Sequence, residues 1–184
     1  MRLFTPVEFQ RSFNVSLRAA QEFIKDHSHD LFMKVRNGLY ALRIDLPSDD
    51  AIANRLYAPS YISFEYAMAR YGLIPESVYA ITSVTPRITR TFIVNNKSFE
   101  YAHIKKQAFR GYRVEKIDGV SVLMAEPEKA FVDYYYFVDL KLRRHNDRLN
   151  TRKLNKKTIM AYAALFNRPS LLKRVKEVLC LRKK

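Results

Sequence analysis

The chain has no tryptophan, a single cysteine and only 4 glycines among its 184 residues. One cysteine, Cys180, excludes an internal disulfide framework and fits a reducing compartment. Four scattered glycines cannot build a glycine-rich loop that cradles phosphates. No apolar run approaches the length needed to cross a bilayer, so no membrane partner is expected. Met1 to Phe4 lead straight into polar sequence, so a secretory leader is not expected at this end and the expected location is cytoplasmic. What is present is enough for a core. With 48% hydrophobic residues the chain reads as globular rather than disordered, as one domain or two small ones. Cys180 lies on an otherwise apolar stripe of the last expected helix and is expected to pack as a small core residue rather than act as a nucleophile.

Acidic residues are the other scarcity, and it is local. The net charge is +15. Residues 1–47 hold 7 Lys+Arg against 5 Asp+Glu, and residues 48–140 hold 11 against 11. Residues 141–184 hold 15 against 2, a net of +13. Nearly all the positive field therefore belongs to the last quarter. Such a field attracts DNA, RNA, anionic lipid or an acidic protein, and charge alone does not choose among them. The cations expected to face a polyanion here are Arg143, Arg144, Arg148, Arg152, Lys153, Lys156, Lys157, Lys173 and Arg174. Two helices are expected in this region, Lys156 to Phe166 and Pro169 to Leu181. Leu171, Leu172, Val175, Val178 and Leu179 give the second its apolar stripe.

The first 47 residues have the order of a small winged helix-turn-helix. Thr5-Pro6-Val7-Glu8 reads as a capping box with proline in the first turn. A helix should follow to about Phe13, burying Val7 and Phe9 or Phe13. Ser16 is the expected N-cap of a second helix, to about His27, and with Arg18, Gln21, Glu22 and Lys25 a candidate DNA contact. Its apolar residues Leu17, Ala20, Phe23 and Ile24 share one face, and Arg18, Gln21, Glu22 and Lys25 share the other. Arg and Gln can make paired hydrogen bonds to base edges in the major groove, and Lys neutralises phosphate. The same pattern also describes the solvated face of an ordinary helix.

The next segment, Phe32 to Arg43, reads as a hairpin around Asn37-Gly38, a type I′ signal. That register pairs Val35 with Tyr40, Lys34 with Ala41 and Met33 with Leu42. It gives an apolar face of Met33, Val35, Tyr40 and Leu42, with Lys34, Arg36 and Arg43 projecting from the other. Lys34, Arg36, Asn37 and Arg43 would form the wing, set against phosphates beside the groove. The module is one helix shorter at its start than the usual winged helix-turn-helix.

The middle of the chain mixes short helices with strands. Ser48 and Ser63 read as N-caps, and Gly72 as a helix-ending residue. Strand-like alternation covers Val78 to Val84, Thr89 to Val94, Ser98 to Ile104, and Tyr112 to Met124 broken by Asp118-Gly119. A further helix opens at Pro127.

Several segments here resemble one regulator family in order and spacing. They are Pro59-Ser60-Tyr61-Ile62-Ser63, Tyr71-Gly72-Leu73-Ile74-Pro75, Ile81-Thr82-Ser83-Val84-Thr85, Tyr101-Ala102-His103-Ile104, and Pro127-Glu128-Lys129-Ala130 with Asp133. The family is the antitoxins of AbiE-type abortive-infection (type IV) toxin–antitoxin systems. The resemblance covers about residues 30 to 140, with Glu126 standing where a Ser or Thr cap is expected. It implies a winged helix-turn-helix over residues 1–47 and an antitoxin C-terminal domain over residues 48–184. It also implies a repressor of its own operon that binds inverted repeats and counteracts a nucleotidyltransferase-like toxin.

Other constellations are weaker. Glu128, Lys129 and Asp133 resemble the remnant of a metal-dependent nuclease site, but Asp133 lies five positions after Glu128, a poor facing geometry on a helix. The structural alternative is a helix start at Glu128 and a structural hydrogen bond at Asp133. Asp26-His27-Ser28-His29-Asp30 lacks a second ligand cluster and reads as a polar linker. The expected fold class is α+β, with the winged helix-turn-helix followed by a mixed α/β domain and a helical basic C-terminus. Neither cofactor nor metal is expected. The expected partner is double-stranded DNA, engaged by a monomer or weak dimer that pairs on its site. Two alternatives stand beside this: a nuclease on the same DNA-binding platform, and a basic interaction module that binds an acidic protein directly.

Overall fold

A computed structural model describes residues 2–181 as a mixed α+β structure with two sheets. The first unit is built from β1 (Leu3–Phe4), α1 (Pro6–Phe13), α2 (Leu17–Asp26), β2 (Phe32–Arg36) and β3 (Leu39–Leu42). β3 lies between β1 and β2 and is antiparallel to both. The capping box forms. Glu8 N–H donates to Thr5 Oγ1 at 3.2 Å, and Thr5 N–H donates to Glu8 Oε2 at 2.7 Å. Asn14 ends α1 in the left-handed region, and Ser16 Oγ then accepts from Ala19 N–H to start α2.

The hairpin register differs from the one that simple alternation predicts. Arg36 opposes Leu39, but Lys34 opposes Tyr40, Met33 opposes Ala41 and Phe32 opposes Leu42. Val35 is left in a bulge, so the rest of β2 shifts by one. Nor is the turn type I′, since Gly38 has a positive φ and Asn37 does not. The cause is that this hairpin is buried on both faces. Phe32, Tyr40 and Leu42 pack with Phe4, Phe9 and Ile24 of the first unit. Val35, Leu39 and Ala41 belong to the large core of the rest of the chain.

Burial in α1 is also less than expected: it buries no residue completely, and Val7 and Phe13 are exposed. Phe4, Phe9, Phe13, Val15 and Phe23 line an open apolar groove of about 470 Å³.

The second sheet is formed by β4 (Tyr61–Ile62), β5 (Ile81–Thr85), β6 (Arg90–Val94), β7 (Lys97–His103), β8 (Tyr112–Ile117) and β9 (Val120–Ala125). Their spatial order is β6-β7-β5-β4-β9-β8. The β5–β7 and β4–β9 pairs are parallel and the others antiparallel. Helices α3 (Asp49–Leu56), α4 (Phe64–Arg70), α5 (Pro127–Asp139), α6 (Lys156–Ala164) and α7 (Pro169–Leu181) complete the fold. β4 is too short to pair fully with β9, and the Asn54 side chain from α3 takes over. It donates to Leu123 O at 3.2 Å and accepts from Leu123 N–H.

Ser63 does not cap α4. Its hydroxyl donates to Asp133 instead, and Thr82 Oγ1 accepts the Tyr66 N–H at 3.3 Å. Cys180 is exposed rather than packed. It sits one residue past buried Leu179, about 100° around the helix, on the side of Lys173 and Lys176.

Candidate nucleic-acid interface

Helix α2 buries Ala20 and Ile24, with Ile24 against Phe4 and Phe32 of the small sheet, and turns Arg18, Gln21, Glu22 and Lys25 to solvent. Within that row Arg18 Nε donates to Glu22 at 2.9 Å, with both side chains more than half exposed. A solvated i,i+4 pair of this kind is worth only about 0.3–0.5 kcal/mol, so Arg18 exchanges Glu22 for another acceptor at little cost. Ser16 is occupied as the α2 cap.

The residues expected on a wing divide. Lys34 is exposed on the face of the small sheet that also carries Tyr40. Arg36 turns toward the end of α3, donating through Nε to Leu56 O, and through Nη1 to Asn37 O, both at 2.9 Å. Arg43 lies in a short 3-10 turn and donates to Phe32 O at 3.0 Å. The three cations expected on one wing face therefore do not share one, because the bulge at Val35 puts Lys34 and Arg36 on opposite sides.

The C-terminal cations divide in the same way. Arg143 is ion-paired to Glu65, with its guanidinium 4.4 Å from the Phe64 ring centre. Arg174 and Arg168 both pair with buried Asp139, which also accepts from Ser170 Oγ at 2.7 Å. Burial pushes the Asp139 carboxyl up, but these hydrogen bonds outweigh it and hold it below the usual carboxylate range. Lys156 donates to Leu179 O at 3.3 Å, and Arg148 approaches Glu76 at 3.7 Å. Arg144, Arg152, Lys153, Lys157 and Lys173 are exposed and, among the described residues, pair with no carboxylate. Arg182, Lys183 and Lys184, which add to the basic excess, lie outside the described residues.

The segments that carry the family resemblance build the interior. Asp133 is fully buried and accepts from Ser63 Oγ at 2.8 Å, Tyr61 OH at 3.0 Å and Lys129 Nζ. Lys129 is equally buried, its Nζ 5.0 Å from the Phe166 ring centre. Burial pushes Asp133 up and Lys129 down, and each is opposed by the partner's charge. Glu128 points elsewhere and accepts from Asn155 N–H at 2.9 Å. The two carboxylates thus do not converge. Among the described residues no group of three His, Cys, Asp or Glu could hold a metal ion. His27 meets Asp30 at 3.2 Å, within the polar linker.

Arg87 and Arg90 did not stand out in the sequence. They lie in a segment whose average charge is zero, yet no Asp or Glu occurs from Ser77 to Phe99. That local gap was the available signal. Among the described residues, no helix is long and apolar enough to cross a membrane. No known family model and no curated protein matches this chain.

Proposed function

We propose that this chain is a DNA-binding repressor of the antitoxin type, acting on its own operon beside a nucleotidyltransferase-like toxin that it counteracts. The toxin relationship rests on the resemblance to the AbiE-type antitoxins. The DNA reading rests on residues. The observation that carries it is the solvent face of α2, where Arg18, Gln21 and Lys25 stand in one row backed by a small sheet. The order β1-α1-α2-β2-β3 supports a winged helix-turn-helix with α2 as its recognition helix. The exposed C-terminal cations would then add sequence-independent affinity through phosphates.

A gel-shift titration tests this: purified protein on its upstream DNA and on an unrelated duplex, across a salt series. Preference for the upstream DNA that persists at physiological salt is expected. Replacing Arg18 and Gln21 with Ala should erode that preference, at roughly tenfold or more per lost base contact. Arg152→Gln with Lys153→Gln should weaken binding to both duplexes and flatten the logarithmic salt slope by roughly 2. Equal binding to both duplexes, vanishing together as salt rises, would refute the repressor reading.

A further inference from the structure

Three arginines from separate parts of the chain converge where the hairpin turn meets the large sheet. Arg36 comes from the end of β2, Arg87 from the β5–β6 loop and Arg90 from the first position of β6. They line a cleft of about 210 Å³ with Tyr57, Ala58 and Phe92. Two of the guanidiniums are fixed from behind by main-chain carbonyls. Arg36 is held by Leu56 O and Asn37 O, and Arg87 Nη1 donates to Ala58 O at 3.0 Å. Arg87 also lies over the Tyr57 ring, 4.5 Å from its centre. Arg90 sits 5.7 Å from the same ring and 5.9 Å from that of Phe92. Tyr57 itself is anchored by its hydroxyl, which donates to Ile88 O at 3.2 Å.

No acid answers this charge. Among the described residues none of the three arginines pairs with a carboxylate. The nearest acid along the adjoining strand, Glu100, opposes Thr91 and so projects from the other face of the sheet from Arg90 and Phe92. Three converging cations repel one another, and holding them together is unfavourable until an anion arrives. Each guanidinium still has free N–H donors in a planar fork that matches phosphate oxygens.

We infer that this cleft is a phosphate-binding site, taking either a free phosphate dianion or a phosphodiester of nucleic acid through Arg36, Arg87 and Arg90. An aromatic ligand fits less well. The Tyr57 ring is already covered by Arg87 and packed against Phe92 and Tyr101, at 5.6 and 5.3 Å between centres, so a base finds no stacking face there. The site stands apart from the base-reading role of α2, because phosphate carries no sequence information.

The test uses the full chain and two probes. Inorganic phosphate is titrated by calorimetry at constant ionic strength set with chloride, and an unrelated 20-base-pair duplex is titrated across a salt series. Arg90→Gln is the main variant, because the Arg90 side chain makes no hydrogen bond that supports the fold among the described residues. Lys116→Gln, an exposed lysine of β8 outside every proposed contact surface, is the control for general charge, and melting temperature reports folding for both. The expected result is a phosphate affinity about tenfold weaker in Arg90→Gln, with Lys116→Gln and melting temperature unchanged. If the duplex salt slope also falls by about one in Arg90→Gln, the phosphate is that of nucleic acid; if it does not, the ligand is free phosphate. A lower slope without phosphate binding assigns the site to nucleic acid alone. Arg90→Gln indistinguishable from the parent with both probes would overturn the proposal, whether or not the protein prefers its own upstream DNA.

Discussion

Asp133→Asn should be among the most damaging isosteric changes in this protein, and its effect should depend on pH in a specific way. The parent carboxylate is completely buried and balances the equally buried Lys129. Asparagine keeps the shape and an acceptor for Tyr61 and Ser63 but removes the charge. Breaking one side of a buried pair costs about 3–5 kcal/mol, because the other charge is left without compensation. Lys129 can escape part of this by losing its proton. From an ordinary value of 10.5, neutralising it at pH 7 costs about 5 kcal/mol, which sets the ceiling. For a chain of this length each kcal/mol lowers the melting temperature by about 2–4 °C, so a fall of roughly 6–20 °C is expected.

The sign of the pH effect follows from proton counting. In Asp133→Asn a neutral Lys129 binds no proton when folded and one when unfolded. Stability should therefore rise with pH, by about 1.4 kcal/mol per unit between pH 7 and 9, with no such slope in the parent. Adding Lys129→Met to Asp133→Asn removes the stranded ammonium and should recover most of the loss. Urea denaturation of the parent, both single variants and the double variant across this pH range measures every term. A single variant within about 1 kcal/mol of the parent would refute the argument, as would a double variant no more stable than Asp133→Asn.

Three further outcomes are expected. Gly111→Ala should destabilise by about 2–4 kcal/mol, since φ is +80° and the new Cβ would meet the Tyr162 ring at 2.7 Å. Gly72→Ala shares the positive φ but opens onto empty space, so it should cost only about 1–2 kcal/mol; equal denaturation midpoints for the two variants would remove the steric part of this account. Asp139 is held below its ordinary 3.8, so it supports the fold above that pH and loses this support as pH falls through its lower folded value. Asp139→Asn should flatten the acid limb of the stability curve as pH falls below the ordinary 3.8, read by circular dichroism.

Elements defined by local chemistry were legible in the sequence. Asp118-Gly119, which breaks the strand-like run from Tyr112 to Met124, takes two consecutive positive φ values and turns a hairpin there, as Asn95-Asn96 does between β6 and β7. α7 runs from Pro169 to Leu181 as its apolar stripe implies. What the sequence hid was competition over distance. Ser63 has the position of an N-cap, but Asp133, 70 residues away, takes its hydroxyl. Arg143 reads as one more tail cation, yet Glu65 lies 78 residues back and claims it. Arg174 is claimed by Asp139 in the same manner, through a carboxylate from the neutral middle of the chain. Counting charge by segment locates a field. It does not say which cations the fold has already used, and of the nine assigned to the C-terminal surface, Arg143 and Arg174 are spent on packing.

The hairpin shows the same competition at the level of a whole element. Alternation assumes one buried face and one wet one, which would leave Lys34, Arg36 and Arg43 together on a wing. The first unit cannot support that arrangement by itself. Among the described residues its own buried cluster is Phe4, Ile24 and Phe32, too little apolar burial to hold some 40 residues in one shape. The second hairpin face supplies the deficit by placing Val35, Leu39 and Ala41 in the larger core. Glu8 in the α1 capping box reinforces the junction by accepting from Arg55 of α3 at 2.7 Å. Arg36 is drawn to the same junction by the bulge, away from Lys34 and toward Arg87 and Arg90. The residue missing from the expected wing is thus the one that completes the arginine cleft, and both follow from a hairpin that has to serve two cores.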